Sequence, residues 1–244
     1  MELIAEYDRL ELVLDSAAAL TLFGVMHYTS HYRRRGRTDD KIYFWILVVT
    51  ILCAISDAAA CVVDAQPDRV LRFLNVAFND IFMITMNISF WLMALYFDYR
   101  SNRVTSAAAS LREPVDKKRA CVLLLPAVFT VIAIGINHFI HFIFWPDETT
   151  GIYTEQPQYY VLYIAPALYA AFIVIISRLN KSGLFVLLML IATRSVLEGV
   201  MQGVSSTALF IAIVLVFMHI NEMRYAFYDE ERNTVGEGGG FDGI

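Results

Sequence analysis

The stretch IYFWILVVTILCAISDAAACVVD, residues 42–64, decides the class of protein. It is an apolar run of about 20 residues, the length that an α-helix needs to cross a roughly 30 Å hydrocarbon layer. Its charged residues, Asp57 and Asp64, both lie in its second half. The stretch therefore predicts a transmembrane helix that carries its carboxyl groups toward one end.

Similar apolar runs lie on both sides of this stretch, and 58% of the 244 residues are hydrophobic. Soluble domains are nearer about 45–50% apolar. The sequence predicts an all-α, polytopic membrane protein, with a seven-transmembrane helix bundle over 1–228 and a flexible cytoplasmic tail over 229–244. The predicted spans are 12–30, 42–64, 73–97, 120–145, 159–179, 183–203 and 206–222.

The loops sort by charge, and this sets the predicted orientation. Basic clusters follow the first span, over 33–41, and the third span, over 100–119. The opposite side has few basic residues and an acidic loop at 146–150. By the positive-inside rule the N-terminus is outside and the C-terminus is cytoplasmic, in the plasma (cytoplasmic) membrane. The net charge of −5 and this sorting predict a membrane-lipid environment and no nucleic-acid partner.

Polar residues within the spans are the candidate ligand-binding residues, because a charge at mid-bilayer costs about 2.5–3.5 kcal/mol. Most of them fall in the outer halves of their spans, whereas the cytoplasmic halves of spans four to six are apolar. We therefore expect a pocket that opens to the outside, not a pore. The predicted ligand-binding residues are Asp57, Asn79, Asp80, Asn137, His138, His141, Arg194, Glu198 and Gln202.

The sixth span carries the strongest of these signals. Arg194, Glu198 and Gln202 follow one another at four-residue spacing and so share one helix face. Such residues persist where they face a bundle interior, a partner or a wet cavity. An alternative is that Arg194 and Glu198 form an ion pair that only fixes helix packing.

Covalent retinal binding, which many seven-helix proteins use, is excluded because it requires a lysine in the last span. The lysines are Lys41, Lys117, Lys118 and Lys181, all in predicted cytoplasmic loops. No catalytic residue, resident metal or cofactor is predicted, and the favoured interpretation is a protein that is not an enzyme.

Two other classes remain open as alternatives. A membrane zinc hydrolase acting on lipid could use His138 and His141, three residues apart, with Asp57, Asp80 or Glu198 completing the ligand set. A small-molecule transporter is the other alternative, although the apolar cytoplasmic halves offer no relay of ionisable groups across the membrane.

Spans four to six also show a family-like pattern. A proline early in span four is followed by an asparagine and then by two aromatic residues at the end of the span. An acidic residue and several tyrosines come next, and a glutamine lies near the end of span six. These are Pro126, Asn137, Phe144, Trp145, Asp147, Tyr153, Tyr159, Tyr163, Tyr169 and Gln202. The basic loop YRRRGR at 32–37 and YFDYR at 96–100 extend the pattern.

With these residues, the chain over about 12–228 resembles the seven-transmembrane N-terminal sensor region of bacterial diguanylate cyclases and histidine kinases. The resemblance implies a receptor for a small molecule that acts on a cytoplasmic signalling partner or a fused output domain, with two copies of the chain pairing as a homodimer. The sequence departs from the pattern at Thr154 and Glu155, where Arg-Gly is expected. No output domain follows span seven, so we expect either the sensor region of a longer protein or a stand-alone relative.

Overall fold

The computed structural model describes residues 2–32, 38–64, 66, 68–105, 116–146, 153–155, 161–176 and 207–220. In chain order these residues form four long helices, a two-stranded ribbon and two shorter helices. The elements are α1 (Glu2–Tyr32), α2 (Thr38–Val63), α3 (Arg69–Thr105), α4 (Lys117–Ile140), β1 (Phe144–Pro146), β2 (Tyr153–Glu155), α5 (Ile164–Ile176) and α6 (Thr207–Ile220).

Within the described ranges, four helices are long and apolar enough to cross a membrane: Arg9–His31 of α1, all of α2, Arg69–Arg100 of α3, and all of α4. They coincide with the first four predicted spans, so the prediction of a multi-pass membrane protein is confirmed by helix length and hydropathy. The shorter apolar helices α5 and α6 lie within the fifth and seventh predicted spans. The sixth predicted span lies outside the described residues, and the count of seven stays a prediction.

An aspartate side chain caps the N-terminus of two of the long helices, which explains where these helices begin. Asp68 accepts hydrogen bonds from the backbone N–H groups of Val70 and Leu71, at 2.8 and 3.2 Å. Asp116 accepts one from the N–H of Lys118 at 3.0 Å. A side-chain oxygen at this position satisfies an N–H group that has no partner within the helix.

The helix α3 contacts the largest number of described elements, since it packs against α2, α4, α5 and β1, and α2 also packs against α1. Polar side chains add specific contacts between these helices. The hydroxyl of Thr50 donates to the hydroxyl of Ser89 at 3.1 Å, and that of Tyr43 donates to the carbonyl of Leu215 in α6 at 2.9 Å. Hydrogen bonds of this kind hold membrane helices together where burial of apolar surface cannot drive association.

The helix α4 ends five residues earlier than the predicted fourth span, at Ile140 instead of residue 145. His141 adopts a left-handed conformation with φ of 50° and ψ of 40°, and its N–H donates to the carbonyl of Asn137 at 2.8 Å. The chain then turns into β1, which pairs antiparallel with β2 so that Trp145 is opposite Thr154. The sequence alone did not predict this ribbon.

The ribbon marks one end of the bundle, which we call the hairpin end. Neighbouring helices are antiparallel: the first half of α1 lies beside the end of α2, the start of α2 beside the end of α3, and the end of α3 beside the start of α4. The helices α1 and α3 therefore begin at the hairpin end, and α2 and α4 finish there. The other end of the bundle, where α1 and α3 finish, is called the opposite end below.

Candidate functional site

An interhelical contact between two predicted site residues lies at the hairpin end. The Nε2 atom of His138, in the last turn of α4, is 2.7 Å from the Oδ2 atom of Asp80 in α3. The histidine side chain is 42% exposed and the aspartate side chain 15% exposed. The pair therefore joins two membrane-length helices at a position that is still accessible from one side.

The aspartate of this pair has unused hydrogen-bonding capacity. Its other carboxylate oxygen, Oδ1, is buried and has no hydrogen-bond partner among the residues that the structure describes. A buried acceptor left without a partner costs about 1–3 kcal/mol. Asp80 therefore offers an acceptor to any donor that reaches it, while its second oxygen is held by His138.

Asn137, the residue before His138, is engaged by the chain's own backbone. Its Oδ1 accepts hydrogen bonds from the N–H groups of Ile143 and Phe144, at 2.8 and 3.3 Å. Its Nδ2 donates to the carbonyl of Phe144 at 3.0 Å, and the side chain is completely buried. This amide thus fastens the end of α4 to β1.

His141 lies beyond the last residue of α4, so it does not continue the helix face that carries His138. Its ring stacks on the indole of Trp145, with ring centroids 3.4 Å apart and an interplanar angle of 19°. Within the described part of the chain, no group of three or more histidine, cysteine or carboxylate side chains that could hold a metal ion includes either histidine.

Asn79 belongs to a ladder of polar side chains between α2 and α3. Its Nδ2 donates to Oδ1 of Asn75 at 2.6 Å, and Nδ2 of Asn75 donates to Oδ1 of Asp64 at 2.7 Å. Asn75 and Asp64 were not among the predicted site residues. The four-residue spacing of positions 75 and 79 on one helix is the signal that could have linked them.

Asp57 is 4% exposed on α2, and its side chain forms a hydrogen-bonding contact with the fully buried carboxyl of Asp15 on α1. The remaining predicted residues, Arg194, Glu198 and Gln202, lie outside the described residues. The structure thus brings Asp80 and His138 into direct contact, with Asn79 and Asn137 adjacent to them in sequence and each bonded elsewhere.

Comparisons of the chain with protein-family models, with curated proteins and with solved structures found no match. The function is therefore inferred from the chain's own residues.

Proposed function

We propose that the protein is a membrane-embedded sensor that binds a small molecule at the hairpin end of a seven-helix bundle. In this proposal the N-terminus is outside and the C-terminus cytoplasmic, so the hairpin end faces outward. The sensor acts on a cytoplasmic signalling partner or output domain. The ligand carries a hydrogen-bond donor, because the free group at the site is an acceptor, Oδ1 of Asp80.

The Asp80–His138 contact carries this proposal. The pair keeps an exposed imidazole edge beside a buried carboxylate oxygen that has no hydrogen-bond partner among the described residues. Polar groups that converge in this way between membrane helices are typical of ligand pathways and pockets. A donor group on the ligand would satisfy Asp80 and remove the cost of its unpaired oxygen.

In this proposal, α3 and α4 transmit the conformational change from the Asp80–His138 pair to the opposite end of the bundle. The helix α3 runs without interruption from Arg69 to Thr105, so a tilt at Asp80 is carried along it as a rigid element. At its far end Asp98 contacts Arg119 at the start of α4, with an N–O distance of 3.4 Å. A ligand that favours one arrangement of α3 against α4 would thereby shift the cytoplasmic ends of both helices.

A thermal-shift screen of the purified full chain tests the proposal. The panel contains small cationic, zwitterionic, neutral and anionic compounds, and the variants are Asp80→Asn and His138→Ala. His31→Ala is the matched control, since His31 is an exposed histidine near the opposite end of α1.

We expect a donor-bearing compound to raise the Tm of the wild type and of His31→Ala, and to leave both site variants unchanged. A shift that survives both site substitutions, or the absence of a shift with every class of compound, would contradict the proposal.

A further inference from the structure

Two pairs of side chains face one another where α1 begins and α2 ends. Glu11 and Asp15 are four residues apart on α1, and Asp57 and Cys61 are four residues apart on α2, so each pair shares a helix face. Because the helices are antiparallel, the deeper residues Asp15 and Asp57 are neighbours, and so are the shallower residues Glu11 and Cys61. This arrangement is that of a ligand cluster built from facing helices of a bundle.

The ligand atoms in this cluster converge on one point. One carboxylate oxygen each of Glu11 and Asp15 and the sulfur of Cys61 all lie within 4.8 Å of one another. Ligands around a tetrahedral zinc ion, each about 2.0–2.3 Å from the metal, lie about 3.3–3.8 Å from one another. The three ligand atoms would therefore have to approach one another by up to about 1 Å to contact one ion.

An independent observation points to a missing occupant. The side chain of Asp15 is 0% exposed, and neither of its carboxylate oxygens accepts a hydrogen bond from an N–H or hydroxyl donor among the described residues; its hydrogen-bonding contact is with the carboxyl of Asp57. Its charged neighbours, Asp57 and Glu11, are also carboxylates. Burying such a group without a compensating charge is costly, and a bound cation would remove that cost.

The chemistry of the three donors selects the class of cation. Calcium and magnesium take oxygen ligands, whereas a thiolate together with carboxylates suits zinc and similar transition metals. The other cysteine of α2, Cys53, lies one helical turn before Asp57, and its sulfur donates to the carbonyl of Phe82 in α3, at 3.8 Å. Cys61 is the cysteine whose sulfur lies with the oxygens of Glu11 and Asp15.

We propose that Glu11, Asp15 and Cys61 form a binding site for a divalent transition-metal ion of the zinc class, with Asp57 beside it. The ion would link α1 to α2 near the hairpin end. The site is separate from the Asp80–His138 pair, which joins α3 to α4, and it does not depend on the proposed sensing of a small molecule.

Titration of the metal-free full chain with Co²⁺ alone, followed by absorption spectroscopy, tests the site. Cobalt takes the place of zinc and reports a bound thiolate through a charge-transfer band in the near ultraviolet. We expect one equivalent to bind with this band in the wild type. Cys61→Ser should lose the band, and Asp15→Asn and Glu11→Gln should each raise the Kd at least tenfold.

The matched control is Cys121→Ser, which removes an exposed thiol on α4 and should leave the band unchanged. Added Zn²⁺ should displace the cobalt, and Mg²⁺ should not. Size-exclusion chromatography identifies any variant that fails to fold, and the Cys61→Ser and Glu11→Gln variants each provide a separate test. A wild type without the band, or a band that survives Cys61→Ser, would overturn the proposal.

Discussion

The hydroxyl of Tyr169 in α5 accepts a hydrogen bond from the backbone N–H of Ala127 in α4, at 3.0 Å. The same hydroxyl donates to the carbonyl of Leu123, one helical turn earlier, at 2.7 Å. The contact lies next to Pro126, which has no N–H, so the carbonyl of Val122 four residues earlier lacks its usual donor. A fully buried tyrosine thus fastens α5 to the irregular turn of α4.

Replacing Tyr169 by phenylalanine should destabilise the bundle by about 1–3 kcal/mol, because buried backbone groups lose a partner while the ring remains. Unfolding of the purified protein in SDS titrations measures this change. A free energy of unfolding for Tyr169→Phe equal to that of the wild type would show that the hydroxyl contact contributes nothing.

A double-mutant cycle on Asp80 and His138 should give a coupling energy of about 0.6–1 kcal/mol. Interhelical hydrogen bonds in membranes are of this size on average, and the imidazole is too exposed for the larger value of a buried pair. The cycle compares Asp80→Ala, His138→Ala and the double variant by the same unfolding assay. Additive effects of the two single substitutions would mean that the two side chains do not interact.

Asn137→Leu should cost about 2–6 kcal/mol, since it removes the acceptor for two buried backbone N–H groups that each cost about 1–3 kcal/mol when unpaired. Hydrogen exchange at Ile143 and Phe144 should become faster in the same variant. Asn79→Ala, which removes side-chain contacts within α3, should leave exchange at these two amides at the wild-type rate. Unchanged exchange in Asn137→Leu would contradict the role of Asn137 at the junction.

Reporter fusions test the seven-span topology. Alkaline phosphatase, active only outside, and green fluorescent protein, fluorescent only inside, are fused after residues 66, 110, 148, 181, 204 and 230. We expect phosphatase activity after 66, 148 and 204, and fluorescence after 110, 181 and 230, because the basic loops stay in the cytoplasm. Phosphatase activity after residue 230 would place the C-terminus outside and contradict its predicted cytoplasmic location.

The membrane-length helices could be predicted from the sequence because hydropathy over about 20 residues reports directly on a helix that spans lipid. The first four predicted spans agree to within about four residues, at every end but one, with the membrane-length segments of α1 to α4 given above. The exception is the end of α4, where the apolar run FIHFIFW continues past the helix. Hydropathy does not register the left-handed His141 or the pairing of β1 with β2, since both depend on local backbone geometry.

The candidate site could be predicted only in outline. Placing Asp80 and His138 at the same depth follows from span order and direction, but their direct contact depends on how α3 and α4 rotate about their axes. The facing of Glu11 and Cys61 depends on rotation in the same way. Asn137 shows the converse difficulty, because its buried amide bonds to the backbone of a ribbon that the sequence did not reveal.

Native mass spectrometry of the detergent-purified full chain tests the central claim, the binding of a small molecule at Asp80 and His138, most directly. Protein from the producing cells should carry a co-purifying organic molecule in the wild type and in His31→Ala. The occupancy of that molecule should fall at least tenfold in Asp80→Asn and His138→Ala. No bound organic molecule in the wild type, or equal occupancy in all four proteins, would contradict the account.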